Sequence, residues 1–374
     1  MGSRRNLVVA VTAGLSLVAA GCGGDPGAGD PTQAREQGPL PEDAGGDAGS
    51  GEGLSGELVG AGATFPDPLY QEWIGEFTSA VEPGVSINYQ AIGSGGGVEQ
   101  FIGQSTDFGA SDASLTDDEL ADATAARGCD PLHIPTVFGA VAPAFNVEGL
   151  DDLVLDGPTL ADIFLGNITN FNDPAIAELN PDTELPDQEI TVVHRSDGSG
   201  TTSIFTTYLD DVSPEWSEQV GAGKEVQWPT GVGGNGNDGV AAGIQQNPGA
   251  LGYVELSFAL ENDIATVTMV NADGNEVEPS LESTAAAADG IDIPDDLRFD
   301  ILDVGGQGFP IAGATWILAW ECGYDESTAG NLKAFLTWAL EAGDATAEEL
   351  LYAPLGDSLR EQSLANVEAI NADG

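Results

Sequence analysis

The chain has 374 residues, with 9 Lys and Arg against 62 Asp and Glu, and a formal net charge of −53. The length suggests two domains, and the dispersed acidity excludes nucleic acid as a partner because binding to it needs a basic surface. A high content of Asp and Glu with so little lysine is typical of adaptation to high salt. At a salt concentration where the Debye length is ~3 Å, the repulsion between the acidic side chains is screened. An ordinary acidic extracellular protein is the alternative.

Residues 1–22 predict a leader that is removed. Two arginines precede an apolar run, Leu7 to Ala20, which is too short to span a membrane. The small residues that run into Cys22 resemble a bacterial lipoprotein signal, in which this cysteine is lipidated and anchors the protein to the outer face of the cell membrane. Such signals usually have a leucine three residues before the cysteine, and here that position is Ala19. Plain secretion with cleavage nearby is the alternative. Residues 23–56 predict a flexible acidic tether.

Beyond the tether, apolar strand-like runs alternate with amphipathic helical stretches, which is typical of layered α/β folds. Two longer apolar runs cover 132–145 and 309–320. In chain order the pattern predicts a strand from Leu58 that ends in small residues, a helix over 68–77, a strand over 85–89, a helix that opens at 98–102, a short strand at Phe108 and Ala110, a strand over 189–193, a helix from 203, and a core helix carrying Leu332, Phe335, Leu336, Ala339 and Leu340.

Two cysteines remain once Cys22 is assigned to a lipid. An even pair in an oxidising compartment is a disulfide candidate, and two unrelated buried thiols are the alternative. Cys129 precedes the apolar run 132–145, and Cys322 follows the run 311–320. If these runs pair as antiparallel strands, the start of one lies beside the end of the other. This hypothesis joins Cys129 to Cys322.

Three turns between strands and helices are rich in Gly, Ser and Thr, at 63–65, 93–95 and 199–201. A helix that begins at such a turn offers free backbone N–H groups and the positive end of its dipole. Arg195 precedes the third turn and adds the planar donor fork of a guanidinium. Together they predict a site for a small tetrahedral oxyanion. The alternative is an ordinary capped helix with an incidental arginine.

The sequence gives no support for catalysis, for a cofactor or for a metal site. Asp107-Phe108-Gly109 is similar to a kinase metal motif, but its partner motifs are missing. The two histidines, His133 and His194, lack metal-ligand spacing and are predicted to be strand residues. No activated serine is found in a strand-to-helix elbow.

Several motifs then occur in the order found in the phosphate-binding proteins of high-affinity phosphate ABC importers, the Pst type. They are Gly60-Ala-Gly-Ala-Thr-Phe-Pro66, Gly93-Ser-Gly-Gly, Asp107-Phe-Gly-Ala-Ser-Asp112, Leu160-Ala-Asp-Ile-Phe-Leu-Gly166, Arg195-Ser-Asp-Gly-Ser-Gly-Thr201, the stretch from Trp228 through Gly233-Gly-Asn-Gly-Asn-Asp-Gly239, and Gly252-Tyr-Val-Glu255. The resemblance covers roughly residues 57–360.

The resemblance implies an α/β protein with the two-lobed type II fold of periplasmic binding proteins and two crossing hinge strands. One lobe would combine 57–146 with 308–374, and the other would be 147–307. It implies that phosphate ion binds in the cleft between the lobes. The protein, as a monomer, would then deliver the ion to the permease subunits of an ABC transporter. Carried over to this sequence, the phosphate contacts are Thr64, Phe65 (through its N–H), Ser94, Asp112, Arg195, Ser199, Gly200 (through its N–H) and Thr201, with Asp197 orienting Arg195.

Asp112 is unusual for an anion site because an ionised carboxylate only accepts hydrogen bonds. It is explained if the ligand carries a proton, as phosphate does at neutral pH and sulfate does not. Arg195 and the turn N–H groups are expected to keep Asp112 ionised. The alternative is that Asp112 caps a helix that starts near Leu115. A binder of sulfate or molybdate and, in another class, a phosphate-releasing hydrolase are the alternative functions.

Overall fold

The computed structural model describes residues 53–372. The predicted leader with Cys22, and nearly all of the predicted tether, lie outside the described residues. The strands are β1 (Gly56–Gly62), β2 (Val85–Ala91), β3 (Phe108–Ser111), β4 (Pro131–Asn146), β5 (Val154–Leu155), β6 (Thr191–Arg195), β7 (Val232–Gly234), β8 (Ala250–Glu255), β9 (Ala265–Thr266), β10 (Thr268–Val270), β11 (Glu276–Val277), β12 (Ala312–Trp320) and β13 (Ala353–Pro354).

Helices alternate with most of these strands, as the sequence predicted. They are α1 (Asp67–Glu76, continued by a π-helical turn, Phe77–Val81), α2 (Ser94–Ile102), α3 (Asp117–Arg127), α4 (Gly157–Leu165), α5 (Pro174–Leu179), α6 (Gly200–Val212), α7 (Pro214–Gln219), α8 (Gly236–Gln246), α9 (Leu256–Glu261), α10 (Leu281–Ala288), α11 (Glu326–Ala342), α12 (Asp344–Glu349) and α13 (Asp357–Ala369).

The strand β4 connects the two halves of the main sheet, whose order is β2-β1-β3-β12-β4-β8-β6-β7. Residues 131–140 of β4 pair antiparallel with β12, and residues 141–146 pair antiparallel with β8. We call β2, β1, β3 and β12 the first half, and β8, β6 and β7 the second half. A separate small sheet has the order β11-β10-β5. One long apolar strand, found in the sequence as the run 132–145, therefore belongs to both halves.

The buried face of α11 shows why the helical prediction succeeded. Its stripe of apolar side chains recurs at the helical period, and every member of the stripe is buried. The same holds for Leu69, Trp73 and Phe77 along α1 and the turn that follows it. Both helices lay these faces against the first half of the sheet. Among residues 53–372, none of the helices combines the length and the hydropathy that spanning a bilayer requires.

Two helices begin earlier than the sequence predicted. Helix α2 starts at Ser94 instead of Val98, and α6 starts at Gly200 instead of Ser203. The glycine, serine and threonine residues in these first turns have weak intrinsic helix preference, so the apolar period alone missed them. The consequence is functional: the first helical turns coincide with the small-residue turns that were predicted to bind an anion.

The position of α10 bears on the predicted lobe boundary. This helix lies within 147–307, yet it packs against β4, β12 and β13. Strand β13 pairs with the part of β4 that belongs with the first half, at Val137 and Phe138. The lobe boundary at 307 stays a prediction.

The structure joins Cys129 and Cys322 by a disulfide bond across a sequence separation of 193 residues. Strands β4 and β12 are antiparallel, and Pro131 lies opposite Trp320. The start of one apolar run therefore meets the end of the other, which is the arrangement from which the pairing was predicted.

Replacing either cysteine by serine should destabilise the oxidised protein. Cross-linking a loop of this length lowers the entropy of the unfolded chain by an amount equivalent to about 5 kcal/mol at most. Urea unfolding of Cys129→Ser, of Cys322→Ser and of the double variant measures the loss. All three should lose the same amount because each breaks the same bond. A double variant that unfolds at the wild-type urea concentration would contradict this expectation.

Candidate anion-binding site

The three predicted turns meet between the two halves of the sheet. The turn 63–65 follows β1, the turn 93–95 opens α2, and the turn 199–201 opens α6. The N–H of Gly95 donates to the carbonyl oxygen of Gly198 at 2.9 Å, which joins the second turn to the third. The turns 63–65 and 93–95 follow the carboxyl ends of the parallel neighbours β1 and β2, and the turn 199–201 follows β6 in the second half of the sheet. All the predicted ligand residues are buried where these turns meet.

Two glycines permit this close approach. A Cβ on Gly200 would lie 2.6 Å from Ser94 Oγ and 2.6 Å from Asp112 Cβ. A Cβ on Gly93, whose φ is +90°, would clash with the carboxylate of Asp197. Side chains at these positions would push the halves apart, so the small-residue composition of the turns is required by the geometry of the site.

Arg195 ends β6 and is only 3% exposed. Its Nε donates to Asp197 Oδ1 at 2.8 Å and its Nη2 donates to Asp197 Oδ2, a two-point ion pair. Asp197 Oδ1 also accepts from the N–H of Gly236 at 3.0 Å. The arrangement holds the guanidinium plane, and Nη1 faces Thr201 Oγ1 at 3.4 Å. The structure thus contains the Arg195–Asp197 pair that the resemblance implied.

The carboxylate of Asp112 follows β3 and is held by two hydroxyl groups. Thr315 Oγ1 donates to Oδ1 at 2.8 Å, and Ser94 Oγ donates to Oδ2 at 3.3 Å. Burial raises the pKa of Asp112 to about 7, against the lowering effects of the Thr315 hydrogen bond and of the charge on Arg195. In the ligand-free protein a carboxyl group with this pKa is ionised above neutral pH, and the ionisation of Asp112 beside a bound anion stays a prediction.

The alternative reading of Asp112 as a helix cap is wrong. Helix α3 begins at Asp117, and its N-cap is Thr116, whose hydroxyl oxygen accepts from the N–H of Glu119 at 3.2 Å. The Glu119 carboxylate in turn accepts from the N–H of Thr116. Because this reciprocal capping box satisfies the helix end, the carboxylate of Asp112 is left for the site.

The turn at α6 supplies backbone donors. Ser199 is the N-cap, and its Oγ accepts from the N–H of Thr202 at 3.0 Å. Its own N–H donates to the carbonyl oxygen of Lys224 at 2.9 Å. Gly200 and Thr201 occupy the first helical positions, where N–H groups have no acceptor within the helix. Ser199 can therefore offer its hydroxyl hydrogen, while the next two residues can offer backbone N–H groups.

The side chain of Phe65 is apolar and fully buried, so its backbone N–H is the group that could contact an anion. Its carbonyl oxygen accepts from the hydroxyl of Tyr352 at 2.7 Å. The same hydroxyl oxygen lies 3.0 Å from Glu255 Oε2, and Ser257 donates to that carboxyl oxygen. Tyr352, Glu255 and Ser257 therefore form a buried hydrogen-bonded cluster, which fixes the carbonyl group of Phe65 in the first turn.

Sequence reasoning missed several of these residues, namely Asn237, Glu255, Thr315 and Tyr352. Asn237 donates through Nδ2 to Thr64 Oγ1 at 3.0 Å and to Thr201 Oγ1 at 3.2 Å. A signal existed for two of them, because Asn237 and Glu255 lie in stretches that carry the family resemblance. A neutral amide and an acid do not by their residue type suggest a contact with phosphate, so the sequence alone indicated no role for either residue.

The two histidines lie in strands, as predicted, with His133 in β4 and His194 in β6. His133 Nε2 accepts from the N–H of Leu115 at 3.1 Å, and burial lowers its pKa to about 4. Across the described range 53–372, no three His, Cys, Asp or Glu side chains are grouped so that they could hold a metal ion.

Glu255 provides a test of the buried carboxyl groups. Burial raises its pKa to about 8, and Oε1 has no hydrogen-bond partner among residues 53–372. In the unfolded chain the group ionises near pH 4.5, so the native state binds the extra proton between these values. The stability that this proton contributes is complete below the unfolded pKa and is lost as pH rises through the folded pKa.

Glu255→Gln should therefore flatten the decline in stability of the ligand-free protein as pH rises above about 5. Glutamine keeps an oxygen for Ser257 and Tyr352 but cannot ionise. Each pKa unit of difference is worth about 1.4 kcal/mol, so the variant should gain roughly a few kcal/mol relative to wild type towards alkaline pH. Urea unfolding across the pH range measures this, with the exposed Glu341→Gln as control. Parallel profiles for Glu255→Gln and wild type would contradict it.

Comparison with known proteins agrees with this geometry. A family model described as a PBP superfamily domain matches residues 43–342. The phosphate-binding protein PstS of Xylella fastidiosa (strain 9a5c) is 43% identical over 311 residues, covering 82% of this chain and 83% of the relative. The phosphate-binding protein PstS3 of Mycobacterium bovis (strain BCG / Pasteur 1173P2) is 35% identical over 377 residues, covering 98% and 99%.

A solved structure of a high-affinity periplasmic phosphate-binding protein (PfluDING) bound with phosphate superposes with a TM-score of 0.70 at 22% identity, covering 85% of this chain and 99% of that one. At this identity the likeness concerns the fold, and it confirms the prediction of an α/β, two-lobed type II periplasmic-binding-protein fold. From the extent and identity of the sequence matches, the chain belongs to the PstS family of phosphate-binding proteins.

Proposed function

We propose that this chain captures inorganic phosphate outside the cytoplasm and delivers it to the permease subunits of an ABC transporter, as a monomer held at the membrane by a lipid on Cys22. It is a binding protein, not an enzyme, and needs no cofactor. The observation that carries the proposal is the pairing of one buried, ion-paired Arg195 with a buried Asp112 at turns rich in neutral donors. A cation with a hydrogen-bond acceptor suits an oxyanion that still carries a proton.

The proposed phosphate contacts are divided between two lobes. Thr64, Phe65, Ser94 and Asp112 belong to the lobe formed by 57–146 and 308–374, and Arg195, Ser199, Gly200 and Thr201 belong to the lobe 147–307. An anion that bonds to both sets favours the closed state through contacts that the open state lacks. Contacts between the two proposed lobes support this view, since Lys224 Nζ lies 2.6 Å from Glu119 Oε1 and the N–H of Gly95 donates to the carbonyl oxygen of Gly198.

Calorimetry of the purified, phosphate-stripped protein with phosphate, sulfate and molybdate tests the proposal directly. Phosphate should bind most tightly, and a chromogenic phosphate ester incubated with the protein should not be hydrolysed. Equal or tighter binding of sulfate or molybdate would favour the alternative oxyanion binder, and release of the chromophore would favour the hydrolase.

The net charge of −53 leads to a prediction about salt. An anionic ligand is repelled at long range, and the local donors act only after it arrives. Because salt screens this repulsion, the association rate of phosphate should rise, or at least not fall, between low salt and about 1 M. Stopped-flow rates measured across this range test it. A steep fall would instead indicate attraction by a basic surface. A rising rate also fits the proposed adaptation to high salt.

A further inference from the structure

Asn237 lies in the first turn of α8 with its side chain fully buried. It is 0% exposed, and it contacts one threonine from each proposed lobe. Thr64 follows β1 in the first half of the sheet, and Thr201 lies in α6 beside the second half. One amide group therefore bridges the two hydroxyl groups that the proposed function assigns to phosphate.

The orientation of the Asn237 amide follows from a backbone donor. Its Oδ1 accepts from the N–H of Glu255 at 3.0 Å. A backbone N–H can only donate, so the oxygen of the amide must face Glu255 and the nitrogen must face the threonines. In this position Nδ2 is a donor to Thr64 Oγ1 and to Thr201 Oγ1.

Each threonine oxygen receives a second donor. Thr64 Oγ1 also accepts from the N–H of Asn237 at 3.3 Å, and Thr201 Oγ1 also accepts from Arg195 Nη1 at 3.4 Å. A hydroxyl has two acceptor positions and one hydrogen. With both acceptor positions used, the hydrogen must point elsewhere, and within the described residues neither hydroxyl donates to a protein group.

We propose that Asn237 is a positioning residue that sets Thr64 and Thr201 as hydrogen-bond donors towards the bound anion. The inference rests on the proposed phosphate site and adds a reason for its preference for acceptor-rich ligands. By occupying the lone pairs of both hydroxyls, the amide directs their hydrogens into the site before the ligand arrives. No reorientation of either group is then needed on binding, which is the advantage of a preorganised site.

The proposal distinguishes asparagine from its closest isostere. The substitution Asn237→Asp would present an acceptor where Nδ2 now donates, so both threonine hydrogens would turn towards the new carboxylate and away from the anion. The affinity for phosphate should fall by at least about 100-fold, because two donors to a charged ligand are lost. Asn237→Ala would free both hydroxyls to rotate and should cost less, about tenfold.

Asn235→Asp provides the matched control. This neighbour is exposed and is the N-cap of α8, a position where Asp serves as well as Asn. It adds the same charge two residues away without touching a threonine. Calorimetry with inorganic phosphate should give an affinity within about threefold of wild type for Asn235→Asp. An equal loss in Asn235→Asp and Asn237→Asp would overturn the proposal, since charge alone would explain both.

A double-mutant cycle with Thr201→Val separates positioning from general structure. If Asn237 acts through the hydroxyls, the loss caused by Asn237→Ala should shrink when Thr201 already lacks its hydroxyl. Fully additive losses would overturn the proposal, and the cycle decides the matter even if Asn237→Asp does not fold. Failure of the wild-type protein to bind phosphate would overturn the proposed function and this inference together, whereas wild-type binding with an unaffected Asn237→Asp would overturn this inference alone.

Discussion

Replacing Arg195 by methionine should reduce the affinity for phosphate by about two to four orders of magnitude, because two charge-assisted hydrogen bonds of roughly 1.5–3 kcal/mol each are lost. Among residues 53–372, Arg195 is the only lysine or arginine that is buried. Methionine retains the length and the apolar stem of the side chain. The loss should be larger than for a typical surface arginine since water does not replace the missing donor in a buried site.

The same substitution should destabilise the ligand-free protein. Asp197 keeps one hydrogen bond, from the N–H of Gly236, but loses the guanidinium that neutralises it. Breaking a buried pair by removing one partner typically costs about 3–5 kcal/mol. The side chain of Asp197 is 12% exposed, so the lower part of that range is expected. Calorimetry and urea unfolding on the same preparation measure the two effects.

Arg298→Met is the control for net charge. Arg298 pairs with Asp117 and Asp296 at a more exposed position, and no step of the proposed binding uses it. Its affinity for phosphate should stay within about twofold of wild type, since exposed pairs contribute little. An Arg195→Met protein that folds and binds phosphate as tightly as Arg298→Met would remove Arg195 from the site.

The fold could be predicted where side-chain period and burial coincide. The stripe of α11 carried enough contrast between buried and exposed positions to give both element type and orientation. The run that became β4 is buried along almost its whole length, so the sequence identified it only as an apolar run whose antiparallel pairing was a condition of the disulfide hypothesis. The starts of α2 and α6 could not be predicted in this way. Their first turns contain glycine and hydroxyl residues that pack against the opposite turn, so tertiary contact, not local period, determines where each helix begins.

The residues of the site also fall into a group that could be predicted from the sequence and a group that could not. Residues that present a charge or a turn, such as Arg195 and Ser199, carry their chemistry in their type and their spacing. Asn237 and Thr315 act through partners that are far away in sequence, and their role depends on which oxygen or hydrogen they meet. The pKa of Asp112 belongs to the second group, because burial by the surrounding halves raises it and no local motif encodes that burial.

The carboxyl group of Asp112 is expected to control the selectivity of the site for phosphate over sulfate. Above its pKa of about 7 the carboxylate is ionised and can only accept. It then stabilises phosphate through the ligand's O–H and repels sulfate, which has no proton to offer. Below this pKa the neutral carboxyl can donate, so sulfate finds a partner. The preference for phosphate over sulfate should therefore rise as pH increases through neutrality.

Asp112→Asn should abolish this pH dependence and reduce the phosphate-to-sulfate ratio. Asparagine keeps the size of the side chain and its oxygen can still accept from Thr315, but its amide can donate to either anion at any pH. The contact that discriminates is charge-assisted and worth roughly 1.5–3 kcal/mol, so the ratio should fall by about 10- to 150-fold at alkaline pH. Most of the change should come from tighter sulfate binding, since the variant removes a like charge. Calorimetry on wild type and Asp112→Asn with both anions, from about pH 5.5 to 8.5, measures the ratio across the titration of the buried group. If the ratio and its pH dependence are unchanged by the substitution, Asp112 does not determine the selectivity, and the neutral donors of the three turns must do so.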